Sequence, residues 1–139
     1  MKEASAQKIL IIDDDPVMTA IYRKHFETAK FTVQVANDAT EGFVALQIFK
    51  PDVVLLDLNM PGRNGVQWLN SVRKNPGFKK LPVVMLTAQA TGSPLLNAAK
   101  DAEVTGVLSK NEWGPDAVVA AVQWVSAKRP ARVATRYFQ

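Results

Sequence analysis

The sequence predicts an α/β fold, a five-stranded parallel sheet with helices on both faces. Two observations carry that reading. Short apolar runs of strand length, at 8–12, 31–36, 52–57, 83–87 and 104–109, alternate with five helix-length segments. Two of the runs, "DVVLLD" and "VVMLT", are unbroken apolar stretches closed by a polar residue, as strands covered on both faces should be. Strict alternation within 139 residues implies parallel strands joined by helical crossovers. In such sheets ligands bind beyond the carboxyl ends of the strands, where the strand order reverses.

Each element has its own signal. After the run at 8–12, Asp15-Pro16 opens a helix, with Asp at the N-cap and Pro at the first helical position. Met18, Ile21, Phe26 and Ala29 recur at roughly helical spacing and carry that helix over 16–29. "FTVQVA" at 31–36 alternates and is rich in strand formers. Asp38 caps a second helix through about Phe49, with Phe43, Leu46 and Phe49 toward the core, and Pro51 closes it. The loop "LNMPGRNG" is built of turn residues and leads into a helix over 65–74 carrying Val66, Leu69 and Val72. "NPGFKKLP" is a second loop, and "QATGSP" leads into a helix at about 94–102. Pro115 opens the last helix, through about Ala127, with Val118, Val122 and Val125 on one face.

Composition excludes several classes. Nearly half the residues are apolar, which argues against disorder, and no apolar run approaches the 18 or so residues of a membrane span. The chain has no cysteine, so disulfides and thiolate metal sites are excluded. The start "MKEASAQK" lacks a signal-peptide core, and these features suit a cytoplasmic protein. The net charge of +4 belongs to the end of the chain. Four of the 17 basic residues (Lys128, Arg129, Arg132 and Arg136) lie in the last twelve positions, which hold no acid; the other 13 balance the 13 acids. The body is neutral, so the basic balance gives no nucleic-acid footprint. The expected organisation is one domain over 1–127 and a basic tail or linker over 128–139. No output domain is expected after residue 127, whether the chain is a single-domain regulator or was cut from a larger protein.

The strand ends carry the chemistry. The first strand runs into Asp13, Asp14 and Asp15; the third ends in Asp57, the fourth in Thr87, the fifth in Ser109 and Lys110. These ends share one crevice. Three carboxylates packed there repel one another, and a divalent cation relieves the repulsion; an all-oxygen donor set selects a hard ion such as Mg²⁺. An ionised carboxylate beside such an ion can attack phosphorus to give an acyl phosphate. The metal and Lys110 can then neutralise two of the transferred group's oxygens, and the Thr87 hydroxyl can donate to the third.

The ordered set "LIIDDDP", "LLDLNMPGRNG", "VVMLTA" and "VLSK" resembles the receiver domain of two-component response regulators over about residues 8–127. The resemblance implies the flavodoxin-like strand order 2-1-3-4-5. It implies Asp57 as phosphoacceptor, Mg²⁺ held by the side chains of Asp14 and Asp57 and the main-chain carbonyl of Asn59, and a metal-bound water held by Asp13. Asp15 is expected to be a helix cap. The implied partners are a histidine kinase or histidine phosphotransfer protein as donor, and a downstream protein or attached output domain; no membrane and no nucleic acid is expected to bind this domain directly. Three positions depart from the family pattern. Val107 stands where a Tyr or Phe usually precedes the lysine by three residues, Asn111 stands where proline usually follows it, and Glu103-Val104 replace a Gly-Ala pair. The first puts the usual aromatic read-out in question.

Two other readings compete with the phosphoacceptor switch. One is a degenerate receiver that docks partners without phosphorylation. The other is a Mg²⁺-dependent phosphohydrolase, which would want a second acid two residues after its nucleophile, where Asn59 stands, and a substrate-covering insertion that these short loops do not provide. His25 is expected at the surface, and Trp68, Trp113 and Trp124 as packing or docking residues. Asn59 and Gln89, each two residues past a strand end, are expected to flank the water that hydrolyses the acyl phosphate.

Overall fold

The computed structural model describes residues 7–58, 60, 64–88, 97–98, 101, 103–110 and 112–126. Strands β1 (Lys8–Ile12), β2 (Thr32–Ala36), β3 (Val53–Asp57), β4 (Val83–Thr87) and β5 (Gly106–Ser109) form one parallel sheet in the order β2-β1-β3-β4-β5. Helices α1 (Pro16–Thr28), α2 (Ala39–Phe49), α3 (Gly65–Arg73) and α4 (Pro115–Ser126) cover it. Of the helix expected at 94–102, Asn97, Ala98 and Asp101 are helical, and the remaining positions lie outside the described residues. No described helix is long and apolar enough to cross a membrane.

The unbroken apolar strands are explained by two cores, one on each face. Successive strand side chains point to opposite faces. Leu10, Ile12, Val54, Leu56, Val83 and Met85 therefore face Leu46, Trp68, Leu69 and Val72 of α2 and α3. Ile9, Ile11, Val53, Leu55, Val84 and Leu86 face Tyr22 and Phe26 of α1 and Val118, Val122 and Val125 of α4. Each such buried side chain contributes roughly 1.5–3 kcal/mol. Trp68 is a core residue, stacked on Phe43 at 5.5 Å between ring centroids.

The helix starts follow their capping residues. Asp15 accepts hydrogen bonds from the Val17 and Met18 amides, with Pro16 at the first position of α1. Asp38 accepts from the Glu41 amide. Asn64 and Gln67 form a reciprocal capping box at α3.

Two details differ from the sequence expectation. The inner face of α1 is Thr19, Tyr22 and Phe26, and Ile21 stays 36% exposed, because a helix phased from Pro16 rotates position 21 outward. β5 starts at Gly106, two residues later than expected, because Glu103 adopts a left-handed conformation (φ 62°) and delays the extended run. Arg73 fixes that turn by donating from Nη2 to the Glu103 carbonyl (2.9 Å) and from Nη1 to the Phe78 carbonyl (2.9 Å). Burial lowers the Arg73 pKa, and the nearby Glu103 charge opposes the shift. His25 is half-exposed between α1 and α4, with Nδ1 2.9 Å from the Ile21 carbonyl and Nε2 3.5 Å from Asp116 Oδ1.

Candidate functional site

The carboxyl ends of β1, β3, β4 and β5 line up in one row. The register sets Ile12 beside Leu56, Asp57 beside Leu86 and Thr87 beside Ser109. Backbone bonds just past the strands extend that row. The Asp13 amide donates to the Ala36 carbonyl (3.1 Å), Leu58 to Leu86 (2.9 Å) and Lys110 to Thr87 (2.7 Å). Asp13, Asp57 and Lys110 are thus held by the ladder and not by mobile loop backbone.

Glycine is required where α3 meets this row. The Gly65 amide donates to the Leu58 carbonyl at 3.0 Å. A Cβ at position 65 would sit 2.8 Å from the Asp57 carbonyl oxygen and 3.1 Å from Leu58 Cα, both backbone atoms that cannot move aside cheaply. The absence of a side chain lets α3 press against the end of β3 and fix Asp57.

The adjacent acids of the "DDD" run have three different fates. Asp13 is 2% exposed and Asp57 only 4%, whereas Asp14 is exposed at the pocket mouth and Asp15 caps α1. Carboxylate oxygens of Asp13, Asp14 and Asp57 lie within 4.8 Å of one another. Lys110 reaches in from β5, its Nζ 3.3 Å from Asp57 Oδ1 and 3.7 Å from Asp13 Oδ2. Thr87 is buried at the end of β4, next to the residue paired with Asp57.

Burial pushes the Asp13 carboxyl up from 3.8 to about 6. The Asp15 amide, which donates to Asp13 Oδ1 at 3.0 Å, opposes that shift; the Asp57 charge adds to it and Lys110 offsets it. One ammonium does not balance three clustered carboxylates. Asp13 Oδ2 is also buried without a hydrogen-bond donor. An oxygen-only donor set with an unsatisfied buried carboxylate oxygen fits a hard divalent cation.

The sequence expectation placed Asp13, Asp14, Asp57, Thr87 and Lys110 at one site, and the structure brings these strand ends together. Asn59, Gln89 and Asn111 lie outside the described residues. Val107 is half-buried against the core on the α2 and α3 side. Sequence reasoning missed Tyr22. This buried phenol has its pKa raised by burial and then by the charges of Asp13 and Asp57. The signal was available in the helix phase: counted from Pro16, position 22 points inward.

A parallel sheet in the order 2-1-3-4-5 with clustered acids and a lysine at its carboxyl end is the arrangement of a receiver-type signalling domain. The sequence profile of the response regulator receiver domain matches residues 9–123, and this chain belongs to that family. It is 36% identical over 106 residues to the chemotaxis protein CheY-3 of Vibrio cholerae, covering 74% of this chain and 79% of that protein. It is also 36% identical over 83 residues to the DNA-binding response regulator MtrA of Mycolicibacterium smegmatis, covering 60% of this chain and only 35% of that longer protein. Among solved structures, the chemotaxis protein CheY4 of Vibrio cholerae superposes with a TM-score of 0.79 at 28% identity, covering 86% of this chain and 98% of that one.

Proposed function

We propose that this chain is a cytoplasmic phosphoacceptor switch that takes a phosphoryl group from a phosphohistidine donor onto Asp57. The observation that carries the reading is the Lys110 ammonium 3.3 Å from a buried Asp57 carboxylate, in a pocket with two further acids. In the transfer, the donor's N–P bond breaks and a bond forms between an Asp57 carboxylate oxygen and phosphorus. Lys110, already paired with Asp57, moves its charge onto a phosphoryl oxygen. The Thr87 hydroxyl donates to another. Neither group is consumed, so the domain catalyses only its own phosphorylation and its reversal.

Asp13, Asp14, Asp57 and the Asn59 carbonyl are the groups that would hold Mg²⁺, directly or through water. When bound, the ion supplies positive charge for phosphoryl oxygens that three carboxylates would otherwise repel. The donor, a histidine kinase or a histidine phosphotransfer protein, is expected to approach over Asp14, the exposed member of the cluster. The apolar Val17 and Ile21 on the outer face of α1 give it a surface beside the pocket mouth. Residues 1–127 form the receiver and 128–139 a basic linker or tail. The output is a downstream protein or an attached domain.

Intact-mass spectrometry after incubation with acetyl phosphate and Mg²⁺ tests this reading. The expected result is a single added phosphoryl group, absent in Asp57→Asn and absent with EDTA. Labelling that persists in Asp57→Asn would move the acceptor to another residue. No labelling of the unmodified chain would favour a docking module. The switch itself is tested by amide chemical-shift mapping with beryllofluoride. Shifts are expected at residues 87–95 and 103–113, from backbone and loop movement, because Val107 has no ring to swing inward. Shifts confined to the acid loops would also favour docking alone.

A further inference from the structure

The outer face of α2 carries two exposed apolar side chains beside a groove. Val44 is 55% exposed and Ile48 is 78% exposed, one turn apart on the same stripe. They border a groove of about 630 Å³ between α2 and the edge strand β2, floored by Val35, Ala45 and Phe49. β2 is the end of the sheet, so among the described residues one side of its backbone has no strand neighbour. The phosphoacceptor site uses none of these residues.

The charges along the groove are ordered. Glu41 lines it at the first turn of α2, held by hydrogen bonds to its Oε1 from the Asn37 amide (2.9 Å) and Nδ2 (3.2 Å). Lys8 lines it at the other end, where Nζ donates to the Phe49 carbonyl (2.7 Å) and lies 5.2 Å from the centre of the Phe49 ring. The groove thus reads acid, then apolar, then base, from the start of α2 to its end. A surface with that order is complementary to itself when turned end for end. A two-fold axis near the middle of α2 sets Glu41 of one copy against Lys8 of the other, and the Val44 and Ile48 stripes against each other. An unrelated partner would not require opposite charges at the two ends of one apolar stripe.

We propose that α2 and the edge of β2 form an isologous dimer interface, with a second copy of this chain packed antiparallel across the groove. The helix stripe alone is smaller than the roughly 800 Å² per partner of a standard stable interface, so the dimer is weak and reversible. Because the interface lies at the β2 edge and the switch face at the β5 edge, dimerisation does not depend on phosphorylation.

Sedimentation equilibrium of the full 139-residue chain over a wide concentration range tests this, with thermal unfolding as a folding control. The expected result is a monomer–dimer equilibrium, unchanged by beryllofluoride and weakened by salt. Ile48→Glu should abolish it. Glu41→Lys and Lys8→Glu should each weaken it about tenfold, and the double exchange Glu41→Lys with Lys8→Glu should restore most of the affinity, because the pairs re-form with reversed sign. A monomer at every concentration would overturn the proposal. So would a dimer that survives Ile48→Glu, a double exchange no better than either single one, or a dimer that appears only with beryllofluoride.

Discussion

At the amino end of the sheet, charged side chains meet backbone groups; at the carboxyl end, acids are packed together. At the amino end, the Lys8 amide donates to an exposed Asp52 carboxylate (2.8 Å) while its side chain reaches the Phe49 carbonyl. The Val83 amide donates to Thr105 Oγ1 (2.9 Å), and the Thr105 amide donates to the Val83 carbonyl (2.8 Å). These are ordinary closures of open backbone groups. At the carboxyl end of the same strands, Asp13 and Asp57 are buried side by side with one lysine between them. The same β-ladder supports both ends, so the difference lies in the side chains placed there. One end closes the fold. The other packs acids together, and burial there raises the Asp13 pKa.

The largest effect is expected where the fold meets the acid end. Gly65→Ala forces a Cβ against the Asp57 carbonyl and Leu58 Cα. It should destabilise the domain by about 2–3 kcal/mol and reduce phosphoryl uptake, because Asp57 must shift. Urea denaturation and intact-mass labelling check the two effects. Equal stability would mean that α3 does not fix the end of β3.

Two neighbouring acids should then respond with opposite sign. Asp13 is buried with its pKa raised to about 6. Between pH 4 and pH 6 the folded state binds more protons than the unfolded state, so stability falls as pH rises and levels off above pH 6. A shift of that size is worth about 3 kcal/mol at most. Asp13→Asn should raise apo stability at pH 7 by about 2 kcal/mol and flatten the slope between pH 4 and pH 6. Asp15→Ala removes the acceptor for the Val17 and Met18 amides and should lower stability by about 1 kcal/mol at pH 7. Denaturant midpoints across pH in EDTA measure both. The same sign for both substitutions would break the distinction between stored charge and structural charge.

The smallest effect belongs to the amino end of β5. Glu103 has φ 62°, a conformation that favours glycine, and Arg73 holds its carbonyl and not its side chain. Glu103→Gly should therefore keep the Arg73 bond and raise stability by about 1 kcal/mol. Thermal unfolding would show it, and a decrease would mean that the Glu103 side chain contributes more than the backbone strain costs.

Much of this arrangement was legible in the sequence because parallel strands end at one place. Once "LIIDD", "VVLLD", "VVMLT" and "VLSK" are read as parallel strands, Asp13, Asp57, Thr87 and Lys110 must meet. The Asp15 and Asp38 caps were legible because capping is local. Two features were not read correctly because they depend on phase and backbone handedness. The apolar spacing groups Ile21 with Met18, Phe26 and Ala29, but the start at Pro16 turns Thr19, Tyr22 and Phe26 inward. That spacing does not pick out Tyr22, which is buried. The late start of β5 follows from the left-handed turn at Glu103, and nothing in a glutamate signals a positive φ. The exposed Val44 and Ile48 were invisible for a related reason: a strongly apolar helix shows which residues are greasy, not which of them the sheet will cover.

If the proposed function holds, the carboxyl-end acids should oppose folding until a divalent cation joins them. The direct measurement is the urea midpoint of wild type and Asp13→Asn at pH 7, each with EDTA and with excess Mg²⁺. The wild-type midpoint should rise with Mg²⁺, because a ligand that binds only the folded state stabilises it. Asp13→Asn should start higher in EDTA and gain less from Mg²⁺. A wild type indifferent to Mg²⁺, or an Asp13→Asn variant less stable than wild type in EDTA, would contradict the account.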